Sequence, residues 1–251
     1  MGDKLFMSED KFWQLIETMH DTCGEDQEKA LIWIRKELRK LTLEDVLGFD
    51  HMFLAYREAA DKYGLGSVAS LMEQGCSDDG FIDFRAWLIS QGKKVYLAAL
   101  KNPEFLVNVK EREYYRFEDL NYVGTKVYME KKEKDLDDID NPDQIEKCRE
   151  EIQSEIQYHP LIEYPLELQD LKIVFPKLAQ KYKADEQIEY MDEESIWNLN
   201  LPEIRKLWEK GKKEVQNWKK QKKKNRYIKD NMGIFTPLVV DKKFLETTAP
   251  S

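Results

Sequence analysis

Apolar residues in the N-terminal part of the chain recur every three or four positions, which is the spacing of one face of an α-helix. This pattern predicts helices over 9–20 and 26–41, and a third helix that opens after Thr42. Ser8 and Thr42 precede acidic first turns, where a hydroxyl side chain accepts a backbone N–H that has no partner within the helix. Each predicted helix has one apolar face, so the three are expected to pack on a shared core.

Glycine residues interrupt this pattern in the middle of the chain. The stretch 63–67, which contains two glycines, is predicted to be a break, and a short helix follows over 68–74. Gly75 suits the left-handed conformation just beyond a helix end, and Gly92 is the predicted stop of the next helix. That helix carries an apolar face rich in aromatic residues, which we expect at the centre of the core: Phe81, Phe84, Trp87 and Leu88.

The helical pattern continues in the second half of the chain, with one acidic interruption. Helices are predicted over 118–131 and 145–156, and the acidic stretch 135–143 between them is predicted to be a loop. Pro176 should kink or divide the helical stretch 166–182, because proline removes a backbone donor and clashes with the preceding turn.

Strand signals are few. The clearest lies at 238–240, and a weaker one lies at 161–164. The predicted fold is therefore mainly α, a multi-helix globular domain with a long C-terminal helical extension and few or no strands.

Charge is distributed unevenly along the chain, although the composition as a whole is that of a folded protein. Apolar residues make up 41% of the 251 positions and charged residues 35%, against a usual charged share of about 25%. The net charge is −9, but 203–230 contains twelve basic and four acidic residues, so the rest of the chain carries −17. The sequence therefore predicts an acidic body with a basic helical end.

Several classes of protein find no support in the sequence. The three cysteines are far apart and odd in number, which indicates neither a disulfide framework nor a thiolate zinc site. The three histidines are scattered, and no glycine-rich phosphate loop, serine elbow or dinucleotide fingerprint occurs. With no leader and no membrane-spanning stretch recognisable, we expect a cytoplasmic protein without a metal or cofactor.

The segment Gly75–Phe81 concentrates reactive side chains, because two carboxylates and a thiol lie between two glycines. One hypothesis places them in a cleft with nearby polar and aromatic side chains, where the acids act as a general base or cation ligands and Arg85 binds an anion. The residues of this candidate pocket are Cys76, Ser77, Asp78, Asp79, Arg85, Trp87 and Tyr96.

A structural role explains most of the same residues. Ser77 is a good N-cap, and Asp78 and Asp79 would meet the positive end of the helix dipole, for about 0.3–1 kcal/mol each. Cys76 at a helix start could be a nucleophile of lowered pKa, but a lone cysteine more often packs as a small apolar residue. The structural interpretation is preferred, and no catalytic residue is assigned.

Four stretches occur in a specific order and spacing: Phe12–Glu17, Gly75–Phe81, Phe84–Ile89 and Gly92. Together they resemble a bacterial family of unknown function, DUF4240. The resemblance covers about 8–182, with an unusual acidic insertion at about 130–157. It implies a helical cytoplasmic bacterial domain in the setting of immunity or defence accessories, and it brings no catalytic residues.

The basic C-terminal helix is the second notable segment. Its apolar stripe should dock on the body, while lysines crowd its far end. Those lysines could serve solubility, bind nucleic-acid phosphates, bind the acidic face of a partner protein, or fold back on the acidic insertion. The candidate contact residues are Trp218, Lys219, Lys220, Lys222, Lys223, Lys224, Arg226 and Tyr227.

The predicted organisation is a helical domain over 8–182 and a lysine-rich helical extension over 186–251. The leading hypothesis is a non-enzymatic protein that binds another protein, in bacterial or phage immunity or defence. One alternative is a small-ligand-binding or enzymatic domain that uses the region of Cys76, Asp79 and Arg85. Another is nucleic-acid binding through the lysine-rich helix.

Overall fold

The computed structural model describes residues 7–132, 142–187 and 201–232. Within these ranges the secondary structure is helical and no strand occurs, so the prediction of a mainly α fold is confirmed. None of the helices described is long and apolar enough to cross a lipid bilayer. The α-helices are α1 Glu9–Cys23, α2 Gln27–Arg39, α3 Leu43–Ala59, α4 Tyr63–Glu73, α5 Asp78–Ser90, α6 Lys93–Lys101, α7 Val123–Lys132, α8 Pro142–Glu155, α9 Leu168–Val174, α10 Pro176–Lys181 and α11 Pro202–Met232. Short 3₁₀ helices cover Pro103–Asn108 and Glu118–Tyr122.

Hydroxyl side chains cap three helices at the predicted positions. Ser8, Thr42 and Ser77 each accept the backbone N–H of the residue three positions later, at 3.1–3.3 Å. These bonds satisfy donors that the first helical turn leaves free, so the starts of α1, α3 and α5 follow from local sequence.

α3 lies at the centre of the fold. It packs against α1, α5, α7 and α8, and it has no polar face over 48–53, where every residue is buried. Asp50 is among them, and burial raises the pKa of its carboxyl, which accepts the Thr125 hydroxyl at 3.2 Å. A buried carboxyl is tolerated here because it holds the start of α7.

Two predictions are wrong, and both concern the contact between Gly64 and Ile162. The predicted break at 63–67 lies within α4, and the weak strand signal at 161–164 is a turn. The Gly64 N–H donates to the Ile162 carbonyl at 2.7 Å, and a Cβ on Gly64 would lie 2.9 Å from the Ile162 Cα. The glycine therefore serves the close approach of two backbones, which local pattern cannot distinguish from a helix break.

The region after α7 is partly as predicted. Pro176 separates α9 from α10, which confirms the division of the stretch 166–182. Residues 135–141 of the predicted acidic loop lie outside the described ranges, and its last two residues begin α8. The predicted strand at 238–240 also lies outside those ranges.

Gly64→Ala should destabilise the protein by about 1–3 kcal/mol, because the new methyl group meets the backbone of Ile162. In an unhindered helix the same change stabilises by about 0.5–1 kcal/mol, so the sign is diagnostic. Urea unfolding measures the free energy, with Ser70→Ala in the same helix as the control. A stabilised Gly64→Ala protein would contradict the close approach.

Candidate functional site

The turn between α4 and α5 carries the segment singled out in the sequence. Gln74 ends α4 in the left-handed conformation with φ 58°, and Gly75 follows with φ 123°. Gly75 has the positive φ expected of it, which non-glycine residues rarely adopt, but the left-handed residue that directly ends α4 is Gln74 rather than the predicted Gly75. Asp78 and Asp79 are exposed in the first turn of α5, where they face solvent and complement the helix dipole.

Cys76 is buried beside a charged pair that the sequence did not reveal. The Glu73 side chain has no exposed area, and its carboxylate accepts the Arg116 guanidinium at 2.7 Å and the Tyr115 N–H at 2.9 Å. Burial raises the pKa of Glu73, and burial together with the Glu73 charge raises the pKa of Cys76 to about 12. A thiol in this state is a poor nucleophile.

Arg116 also closes the space over the start of α5. A Cβ on Gly80 would lie 3.2 Å from the Arg116 Cζ and 3.3 Å from the Cys76 Sγ. Asp83 is nearby, and its pKa is raised to about 6 by burial and by the charge of Glu118. The Glu73–Arg116 pair spans 43 positions of sequence, so no local pattern signalled it.

Arg85 lies in a different environment from Cys76. Its guanidinium donates to the Arg57 carbonyl at 3.2 Å and to the Phe81 carbonyl at 3.3 Å. It also pairs with Asp61 at 3.4 Å and lies over the Phe81 ring at 4.7 Å. Burial of the Arg85 charge is unfavourable and lowers its pKa. The hydrogen bonds and the ion pair offset this cost, and they tie α5 to the end of α3.

The aromatic members of the candidate pocket belong to the core. The Tyr96 hydroxyl donates to the Tyr56 carbonyl at 2.6 Å, and burial raises the pKa of Tyr96. Trp87 packs edge-on against Tyr115, with 4.9 Å between ring centroids. The structure therefore does not bring the seven predicted side chains together in one cleft: Ser77, Asp78 and Asp79 are exposed at the start of α5, and the other four contact separate interior groups. A ligand-binding role for any of them stays a prediction.

The basic helix α11 docks on the body through its first half. Lys212 forms ion pairs with Glu167 and, at 3.2 Å, with Asp170, both at the start of α9. The Trp208 indole N–H also donates to Glu167 at 2.9 Å. Further along, Val215 is fully buried. This half of α11 is anchored by charge pairing and by the burial of Val215.

Trp218 is the last aromatic residue of this docked half. Its ring packs edge-on against His159, with 5.1 Å between centroids, and its indole nitrogen is buried without a hydrogen-bond partner in the described structure. Lys222 lies over the Trp218 ring at 5.2 Å.

Residues 219–225 of α11 are all exposed. Seven consecutive residues make about two helical turns, so every side of the helix faces solvent there. Five of them are lysines, and none of these forms a salt bridge with another described residue: Lys219, Lys220, Lys222, Lys223 and Lys224. Arg226 and Tyr227 belong to α11, but their side chains lie outside the described part.

Residues 7–130 match the model of a family described as "Protein of unknown function (DUF4240)". The resemblance seen in the sequence is thereby confirmed for these residues, which comprise α1 to α6 and most of α7. The predicted extension of the resemblance to 182 lies beyond the match. No curated protein and no solved structure matches the chain.

The three cysteines should differ strongly in reactivity towards a thiol reagent at pH 8. Burial raises the pKa of all three thiols, to about 12 for Cys76 and about 11 for Cys148, but Cys23 is partly exposed whereas the other two are buried. We expect Cys23 to react at least ~100-fold faster, because the thiolate is the reacting species. Disulfide-exchange labelling with mass spectrometry measures the rates, and Cys23→Ser should remove the fast phase. Fast labelling of Cys76 would revive the nucleophile hypothesis.

The stability of the native protein should fall with acid because of His159. Burial, and secondarily Lys222, lowers the pKa of His159 to about 4 from 6.5, so the unfolded state binds more protons between these values. Stability is full above about pH 6.5 and decreases towards pH 4, by about 3 kcal/mol in total. Urea unfolding at several pH values measures the slope.

The matched variant for this test is His159→Gln, which cannot titrate. Its unfolding free energy should depend less steeply on pH between 6.5 and 4 than that of the wild type. Equal slopes would show that His159 titrates normally and that its packing on Trp218 does not exclude the proton.

Proposed function

We propose that this protein, whose residues 7–130 belong to the DUF4240 family, acts in the cytoplasm as a non-enzymatic protein that binds another protein. The observation that carries the proposal is the exposed cationic end of α11, defined here as residues 219–225. The setting of bacterial or phage immunity or defence rests on the family resemblance alone.

The two halves of α11 use their lysines differently. Lys212 is paired with two carboxylates of the body, whereas the lysines of the cationic end have no acidic partner among the described residues. A cluster of unpaired charges attracts an oppositely charged surface and speeds its encounter. Anchoring by Lys212 and Val215 holds this cluster at a fixed place on the body.

Two features favour a protein partner over nucleic acid. Trp218 packs on His159, so it is not available to stack on a base, as aromatic residues of single-strand binders do. The chain outside 203–230 carries −17, which repels a long polyanion lying alongside it. A local acidic patch on a protein avoids most of that repulsion.

The enzymatic alternative receives less support from the geometry. The Arg85 guanidinium donates to two backbone carbonyls, and the pKa of the Cys76 thiol is raised. Asp79 is exposed at a helix start. If Asp79→Ala and Arg85→Ala proteins that remain folded lost function in a cell assay, this alternative would displace the proposal.

Replacing the five lysines of the cationic end by glutamine should reduce capture of the partner from the native host at least ~10-fold, because rim charges govern encounter and salt dependence. Affinity capture with quantitative mass spectrometry measures the loss. The matched control replaces five exposed lysines of the body, with the same change in net charge: Lys36, Lys94, Lys101, Lys110 and Lys177. The control should retain the partner.

Equal retention of a partner by both variants would contradict the assignment to the cationic end. If nuclease treatment releases the captured material, and binding weakens steeply with salt for a nucleic-acid probe, then nucleic-acid binding replaces the proposal.

A further inference from the structure

A cleft of about 230 Å³ opens between α8 and the matched family domain. Its apolar lining comes from both sides, with Met52 of α3 and Leu97 of α6 facing Ile152 and Ile156. Pockets for drug-sized ligands have about 300–1,000 Å³, so this cleft has room for a single side chain or a small molecule. Because α8 lies outside the match, one wall is supplied by a helix beyond the family domain.

The cleft lining also contains the Glu9 carboxylate, which is held by two neighbouring side chains. The Tyr56 hydroxyl donates to the Glu9 carboxylate at 2.6 Å, and the Lys93 ammonium lies 3.0 Å from the same carboxylate. Burial by itself would raise the pKa of Glu9, but these two partners lower it below its usual value. Glu9 is therefore ionised, and its charge is balanced by Lys93.

The α8 wall adds two carboxylates that form no salt bridge among the described residues. Glu151 and Glu155 lie one helical turn apart, line the cleft and are exposed. Neither forms a salt bridge with another described residue. The lining thus contains three carboxylates and one ammonium, with apolar side chains between the polar groups. Such a surface complements a cation that carries a short apolar stem.

We propose that this cleft binds an alkylammonium group, either a small free amine or the lysine side chain of another protein. The ammonium contacts Glu151 and Glu155, and its methylene stem covers Leu97 and Ile152. An anion is repelled by the excess of carboxylates, and a neutral alcohol of the same length gains the apolar contact only. The site is separate from the cationic end of α11, so this proposal does not depend on the proposed function.

The test uses the full chain and four probes that differ in charge or in source. Butylammonium, butanol and butyrate share a stem length, and Nα-acetyl-lysine methylamide presents the same group as a protein would. Heteronuclear NMR titration at pH 7 follows saturable shifts of α6 and α8 amides. We expect saturation with butylammonium or with the lysine derivative, and none with butyrate. The tighter of the two ammonium probes identifies the source.

The variant Glu151→Gln/Glu155→Gln should weaken ammonium binding roughly fivefold, since each exposed ion pair contributes about 0.5 kcal/mol. Its control is Glu113→Gln/Glu150→Gln, which changes the net charge equally at exposed positions outside the lining and should leave binding unchanged. Leu97→Trp fills the cleft and should abolish binding, while thermal unfolding confirms that each variant is folded.

Three results would overturn the proposal. One is the absence of saturable shifts with both ammonium probes. Another is equal affinity for butylammonium and butanol, which would make the cleft merely apolar. The third is equal weakening in the Glu113/Glu150 control, which would reduce the effect to net charge. None of these results bears on capture of a partner through α11.

Discussion

The packing around Tyr56 holds the N-terminal domain together. Its ring contacts Phe12 and Trp13 of α1 and Tyr96 of α6, with centroid distances of 4.6–5.4 Å. Its hydroxyl binds Glu9, and its backbone carbonyl accepts the Tyr96 hydroxyl. Three helices therefore meet at one residue of α3, whose polar atoms are all satisfied as burial requires. Tyr56 also lines the α8 cleft.

Charged residues in this protein serve two distinct purposes. The Glu73 side chain is buried, and its pair with the partly exposed Arg116 fixes the chain after α6 against the end of α4. Removing Arg116 would leave the Glu73 carboxylate buried without its cation, which is far costlier than losing an exposed pair. The lysines of the cationic end are exposed and without described acidic partners, so their charge is not used within the described structure and is the basis of the proposed recognition. The difference between the two groups of charges is therefore burial, which is complete for the Glu73 side chain and absent for the lysines of the cationic end.

Local sequence predicted the features that depend on nearby residues. The caps at Ser8, Thr42 and Ser77, the positive φ of Gly75 and the division at Pro176 each arise from interactions within a few positions. The reading of 63–67 as a break failed for the opposite reason. A glycine is needed at position 64 because the backbone of Ile162, which is distant in sequence, packs against it. Two glycines in five residues would break a helix in a protein that lacked this contact.

The sequence by itself determined the helical class, the resemblance to the family whose model matches residues 7–130, and the segregation of an acidic body from a basic end. Only the tertiary structure decided what the chemistry-bearing side chains contact. It buried Cys76 beside Glu73, turned Arg85 towards backbone carbonyls, and placed Glu151 across a cleft from Glu9. Helix periodicity and capping are encoded over a few residues, whereas the surroundings of a side chain depend on which distant helix packs against it.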